Sequence, residues 1–284
     1  MHRIGGQRRG GVSGLAAPRW WVLVSVAAVC LLAGPQPARA APAHGPSPAQ
    51  SALVLYDAPA AYAWLGELYA AQVANLLGHF NLAVTRSPVG SYRSGQMGSY
   101  RATFYIGSYF GNPLPAAFLS DVKSQKYSVC WMKYNLEQIA WNAQGVPDFT
   151  FEQTFGFRFN GLNQSGYDIV RYRGADFTHD LRDPEVGLIT VQQPTKVATF
   201  ATLYRQSTGA AAPYTIRSGT FWYVADIPFS YISETDRYLV FADVLHDIVG
   251  INHAAPPRAM VRLEDIDPSM PVSLLRTVTG YLES

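Results

Sequence analysis

Cysteine is scarce, with two residues in 284, Cys30 and Cys130. A disulfide framework and a cysteine-based zinc site are therefore excluded. Charge is also scarce, at 15% Asp, Glu, Lys and Arg, and it nearly cancels to a formal net +2. No basic excess marks a phosphate-binding face, so a nucleic-acid partner is not expected. No histidine pair has the i, i+4 spacing that puts two imidazoles on one helical face, and no repeat recurs at 20 to 50 residues. Hydrophobic residues, at 48%, suffice for a sizeable core.

The chain opens with Arg3, Arg8, Arg9 and Arg19 and no acidic residue. An uncharged run from Trp20 to Ala33 follows, then Ala38-Arg39-Ala40. A basic leader, a short apolar run and a small-residue site predict a secretory signal peptide over residues 1–40, cleaved after Ala40. The apolar run is shorter than the roughly 20 residues a bilayer crossing needs. The mature chain is thus expected to be secreted or periplasmic, without a transmembrane span. Cys30 leaves with the signal, and residues 41–50, carrying His44, read as a tether.

The mature chain then alternates. Ala52–Tyr56, Ala102–Ile106 and Tyr127–Met132 are apolar runs of strand length, with a weaker strand at Leu82–Thr85. Trp64–Phe80 shows a helical stripe through Leu65, Leu68, Tyr69, Val73, Leu76 and Leu77, with Gly78 as its stop signal. Tyr92–Tyr100 reads as loop or short helix. Pro115–Val122 and Asn135–Trp141 are the next helices, the latter capped by Asn135. This rhythm predicts a parallel, doubly wound sheet. Ligands of such sheets bind beyond the carboxyl ends of the strands, here near Asp57, Ser108, Tyr109 and Lys133. The middle, with strand-like runs at Tyr167–Tyr172, Gly187–Val191, Val197–Tyr204, Pro213–Arg217 and Phe221–Ala225, predicts an antiparallel β insert. Asp236–Val249 returns to helical spacing. Residues 51–250 thus form one α/β domain, and a strand at Arg258–Leu263 and a helix at Pro271–Leu282 close the chain.

Cys130, between Val129 and Trp131, reads as a buried core thiol rather than a nucleophile on a tight turn. His79 sits at a helix end, and His246 and His253 lie seven apart with nothing fixed beside them to complete a metal site; His179 lies in the β-rich middle. Asp226 opens a polar stretch through Ser230 and Tyr231 to Glu234 and Asp236. It is either part of a strand-end crevice or a turn with Ser233 or Thr235 capping the next helix. Glu264-Asp265 ends an apolar strand. Adjacent carboxylates there could divide labour, one holding a divalent metal and the other taking a proton from its water, or could simply begin a turn.

Several longer stretches carry a resemblance: Trp64-Leu65-Gly66-Glu67-Leu68-Tyr69, Asn75-Leu76-Leu77-Gly78-His79-Phe80, Tyr105-Ile106-Gly107-Ser108, Ile227-Pro228-Phe229-Ser230-Tyr231, Asp236 to Asp243, and Arg262-Leu263-Glu264-Asp265. Over residues 51–284 the chain resembles secreted bacterial proteins of unknown function classed with the polysaccharide deacetylase superfamily. That resemblance implies a flavodoxin-like or amidotransferase-like α/β domain followed by a deformed β/α barrel. It implies a zinc-dependent removal of acetyl groups from a cell-surface polysaccharide, with Glu264 as general base and Asp265 as metal ligand. The sequence departs from the deacetylase pattern in having Glu first and Ile266 after the pair. A β/α barrel needs about 200 residues, and few follow Asp265. The expectation is therefore an incomplete barrel, residues 258–284 being its first strand-helix unit, and a chain inactive alone. The rival expectation is a non-catalytic cell-envelope module whose sugar contacts come from loops such as Ser108-Tyr109-Phe110. A glutamine-amidotransferase-like enzyme would need Cys130 on a turn.

Overall fold

The computed structural model describes residues 48–252 and 271–283. The signal segment, Cys30, His44, His253, the strand expected at Arg258–Leu263, and Glu264 and Asp265 lie outside the described residues.

The first half is β1 (Ser51–Tyr56), α1 (Ala63–Leu77), β2 (Ala83–Pro88), β3 (Ala102–Gly107), α2 (Ala116–Lys123) and β4 (Val129–Lys133). β1 pairs parallel with β2 and β3, and β3 pairs parallel with β4. β3 and β4 are buried along their whole length and β1 along all but its last residue. This is why they read as unbroken apolar runs. β2 stands at the sheet's edge, and its alternation with exposed positions made its sequence signal weak.

The second half contains α3 (Glu137–Ala140), α4 (Phe149–Phe155), β5 (Phe157–Asn163), β6 (Ile169–Tyr172), β7 (Ala175–Thr178), β8 (Val186–Val191), β9 (Val197–Arg205), β10 (Ala210–Ser218), β11 (Phe221–Val224), α5 (Tyr238–Val249) and α6 (Val272–Glu283). The main sheet runs β2-β1-β3-β4-β11-β10-β9-β6-β7. β11 pairs parallel with β4 and antiparallel with β10, so the antiparallel strands extend the same sheet. β5 and β8 form a separate antiparallel pair. The α/β class and the parallel sheet with added antiparallel strands therefore stand.

Aromatic side chains fill the core. Tyr105 and Trp131 meet edge to face at 4.6 Å between centroids, and Phe155 and Phe221 at 5.0 Å. Cys130 is fully buried in β4, and burial pushes its thiol pKa up, away from the reactive thiolate.

Four local expectations change. α1 packs through Gly66, Ala70, Val73 and Leu77, while Leu68 is left exposed. The reason is proximity, since a Cβ on Gly66 would stand 2.1 Å from the Asp57 carbonyl oxygen. Gly78 does not end the helix; it is right-handed helical and leads into one further turn, and Asn81, left-handed at φ 54°, makes the stop. Asn135 does not cap α3, because it is left-handed at φ 72° and its side chain turns inward. Finally, α4, β5 and β7 are elements beyond those expected, although β5 alternates buried Phe157, Phe159 and Gly161 with exposed Arg158 and Asn160. α4 is set by its ends, with Asp148 accepting from the Thr150 amide at 2.7 Å and Gly156 closing at φ 75°.

Candidate functional site

In the order β2-β1-β3-β4, the chain leaves β1 toward one edge and β3 toward the other. The gap between the carboxyl ends of β1 and β3 is the point where an open α/β sheet leaves a crevice. Asp57 ends β1 there and Ser108 follows β3.

Asp57 is fully buried. One carboxylate oxygen accepts from the Tyr105 hydroxyl at 2.8 Å and Asn112 Nδ2 at 2.7 Å. The other accepts from the Tyr109 amide at 3.0 Å and Asn135 Nδ2 at 3.1 Å. All four donors are neutral. Burial raises the Asp57 pKa to about 6, although hydrogen bonds from Tyr105, Tyr109 and Asn112 oppose the rise.

The same groups pin the loop after β3. Asn135 Nδ2 also reaches the Tyr109 carbonyl at 3.0 Å, and its Oδ1 accepts from the Gly111 amide at 2.9 Å. Gln138 holds the far end, donating to the Asn112 carbonyl at 2.7 Å and accepting from the Leu114 amide at 3.0 Å. The left-handed turn at Lys133 and Asn135 is what brings Asn135 back beneath this loop.

What the pinned loop presents outward is aromatic. Tyr109 stacks on Tyr62 with centroids 5.5 Å apart and planes 25° apart. Phe110 meets Tyr134 edge to face at 6.0 Å. Tyr62 and Trp64, at the start of α1, are 48% and 62% exposed, and Phe110 is 57% exposed. Tyr62, Tyr109 and Phe110 thus bring exposed rings together at this loop, which is unusual for a surface that meets only water. Beside them lie two polar pairs. Lys133 Nζ contacts both oxygens of Asp183 at 2.7 and 2.9 Å, and the Tyr134 hydroxyl donates to Glu185. Burial and the nearby Asp183 charge push the Tyr69 hydroxyl up to about 12, so it stays a neutral donor.

Asp226 occupies a different setting. It is fully buried and faces Arg237 Nε at 2.5 Å, with the Tyr214 hydroxyl at 2.6 Å. His179 Nδ1 faces the Tyr167 carbonyl, which can only accept, so that nitrogen carries the hydrogen. Its Nε2 lies 3.1 Å from an Asp226 carboxylate oxygen. Burial would raise the Asp226 carboxyl, but the Arg237 charge, with His179 and Tyr214, outweighs it and holds the group well below the usual carboxylate range. Arg237 also pairs with Asp236 and reaches the Ser230 hydroxyl at 2.8 Å. This cluster ties the chain after β7 to the start of α5, and Asp226 offers no free oxygen to a ligand.

The other sequence candidates fall as follows. Ser108 Oγ is buried with no hydrogen-bond partner among the described residues, so it presents nothing outward. Tyr109 is exposed as described. The His79 and His246 rings meet at 5.6 Å beside Phe80 and border a groove with Asp243. Among the described residues no group of three His, Cys, Asp or Glu is placed to hold a metal ion. Tyr62, Trp64, Asn112, Asn135 and Gln138 were not foreseen as site residues. The available signal was that Tyr62 and Trp64 are large rings lying off the apolar stripe of α1.

No family model matches the chain, and no curated protein matches it. Among solved structures, a ThuA-like protein from Bacteroides uniformis is 12% identical over 70% of this chain and 91% of its own, with a TM-score of 0.47. An exo-beta-1,4-mannosidase from an Opitutaceae bacterium is 11% identical over 70% of this chain and 34% of its own, with a TM-score of 0.43. A glutamine amidotransferase from Methylobacillus flagellatus is 9% identical over 64% of this chain and 70% of its own, with a TM-score of 0.35. These likenesses concern the course of the chain and carry no chemistry over to it.

Proposed function

We propose that the α/β domain is a carbohydrate-binding module of an exported, polysaccharide-deacetylase-like protein, and that it binds without catalysing. The supporting observation is the Tyr62–Tyr109 stack, with exposed Phe110 next to it in the same loop, above a loop pinned at the β1/β3 switch point. The apolar face of a pyranose ring stacks on such rings while its hydroxyls reach neighbouring polar groups. Asp183, Glu185 and Tyr69, all partly exposed, supply those groups. Catalysis is not assigned to Asp57, because its oxygens are already engaged by four donors, nor to the buried Cys130. The deacetylase reading rests on Glu264 and Asp265 by resemblance, with zinc as the implied metal. Co-sedimentation of the full chain with insoluble chitin, xylan and cellulose tests the binding reading. Retention on at least one of them, lost in the Tyr62→Ala/Tyr109→Ala double variant while the fold persists, is expected. Equal retention of the variant, or none by the wild type, refutes it.

A further inference from the structure

Most buried or half-buried carboxylates of the described residues have a partner. Asp57 has its four donors, Asp183 has Lys133, Glu185 has Tyr134, Glu152 has Arg158, Asp226 and Asp236 have Arg237, and Asp121 has Tyr92. Glu137 breaks the pattern. It is half-buried, and among the described residues no side-chain donor and no cation touches its carboxyl; the one hydrogen bond it receives is from its own backbone. Burial raises its pKa, which is the mark of a charge desolvated without compensation.

Glu137 lines an open groove of about 510 Å³ together with Leu119, Gln138, Trp141, Asn142 and Gly145. Trp141 is fixed there. Its indole N–H donates to the Phe159 carbonyl at 3.0 Å, and its ring packs against Phe159 and over Gly161. Asn142, which also lines the groove, uses its side-chain oxygen on the Gln144 and Val146 amides, which leaves its Nδ2 without a partner among the described residues. The floor is also rigid, because Gln138 ties it to the Asn112–Leu114 loop. An uncompensated carboxylate, a fixed indole and an amide donor together match a ligand carrying a cation on a hydroxylated ring. The carboxylate takes the ammonium, the indole attracts it through its π face, and the amide takes a hydroxyl.

We infer that this groove is a second saccharide subsite, selective for a sugar with a free amino group. The saccharide half rests on the carbohydrate-binding reading above; the amine half rests on Glu137. The groove and the aromatic face share the 108–114 loop, the one through Gln138 and the other through Tyr109, so one extended chain could engage both.

The test is calorimetric titration of the full chain with three probes: a glucosamine tetramer with its amines protonated, an N-acetylglucosamine tetramer, and tetralysine. The glucosamine tetramer should bind more tightly than the other two. Glu137→Gln, which keeps shape and folds as wild type by thermal melting, should weaken that probe about tenfold or more and leave the acetylated tetramer unchanged. Tyr109→Ala should weaken both tetramers. Unchanged glucosamine affinity in Glu137→Gln overturns the subsite, even where Tyr109→Ala shows that the aromatic face still binds. Tetralysine binding as tightly as the glucosamine tetramer, with equal sensitivity to Glu137→Gln, overturns it in favour of a basic-peptide site. Loss of both tetramers in Tyr109→Ala with no binding preference between them sustains the carbohydrate reading and rejects the amine.

Discussion

Two buried aspartates end strands of one sheet and do different work. Asp57 ends β1 among neutral donors, whereas Asp226 follows β11 beside Arg237 and His179. Both are fully buried. A cation as partner offsets desolvation of the ionised carboxylate, so Asp226 stays charged and its cluster behaves as a fixed joint. Neutral donors offset less, so Asp57 titrates near pH 6, and what it holds is a surface loop rather than two elements of the core. Burial and strand-end position alone do not mark a ligand site. The distinction lies in what the buried charge supports.

The largest expected effect is at Asp226. Asp226→Ala leaves Arg237 buried without its main partner, and breaking a buried pair costs about 3–5 kcal/mol. Denaturant unfolding should show that loss, or a chain too unstable to purify. A loss below about 1 kcal/mol would break the comparison by making the joint dispensable.

Asp57 should show a smaller effect with a distinct pH signature. Its folded pKa of about 6 lies above the usual value of about 3.9, so between those values the native state holds the extra proton. Stability from this group is therefore greatest at low pH, falls as pH rises from about 4 to about 6, and is level above. Asp57→Asn should remove that slope. It should also cost about 1–3 kcal/mol at neutral pH, because its amide turns a donor toward donors. Urea unfolding across pH 4 to 8 measures both, and an unaltered slope in the variant would place the titration elsewhere.

Smaller still is the expected effect of Tyr109→Ala on stability, within about 1 kcal/mol, since its ring is exposed and its backbone holds the contact to Asp57. Thermal melting checks it. Cys130 should label with maleimide only at the rate of unfolding, because its thiol is fully buried. Rapid stoichiometric labelling of the folded chain would contradict that.

The parallel strands were legible because burial on both faces leaves an unbroken apolar run, as in Thr103–Ile106 and Val129–Met132. The strand ends at Asp57, Ser108 and Lys133 were legible as neighbours too, since the parallel order β1-β3-β4 brings them together. The pinning side chains were not. Asn135 looks like a helix cap in sequence, and only its left-handed backbone turns it toward Asp57. Asp226 looked like Asp57 from sequence, because Arg237 and His179 reach it only through the folded sheet. Glu137 carried no signal, since an absent partner is visible only in three dimensions.

The measurement that tests the account most directly is amide NMR of the full chain titrated with a soluble oligosaccharide of whichever polysaccharide retains it. Shifts concentrated at Tyr62, Trp64, Tyr109, Phe110 and Asn112, with Ile227 to Arg237 unmoved, are the predicted result. Shifts concentrated around Asp226 and Arg237, with Tyr109 and Phe110 unmoved, would contradict it.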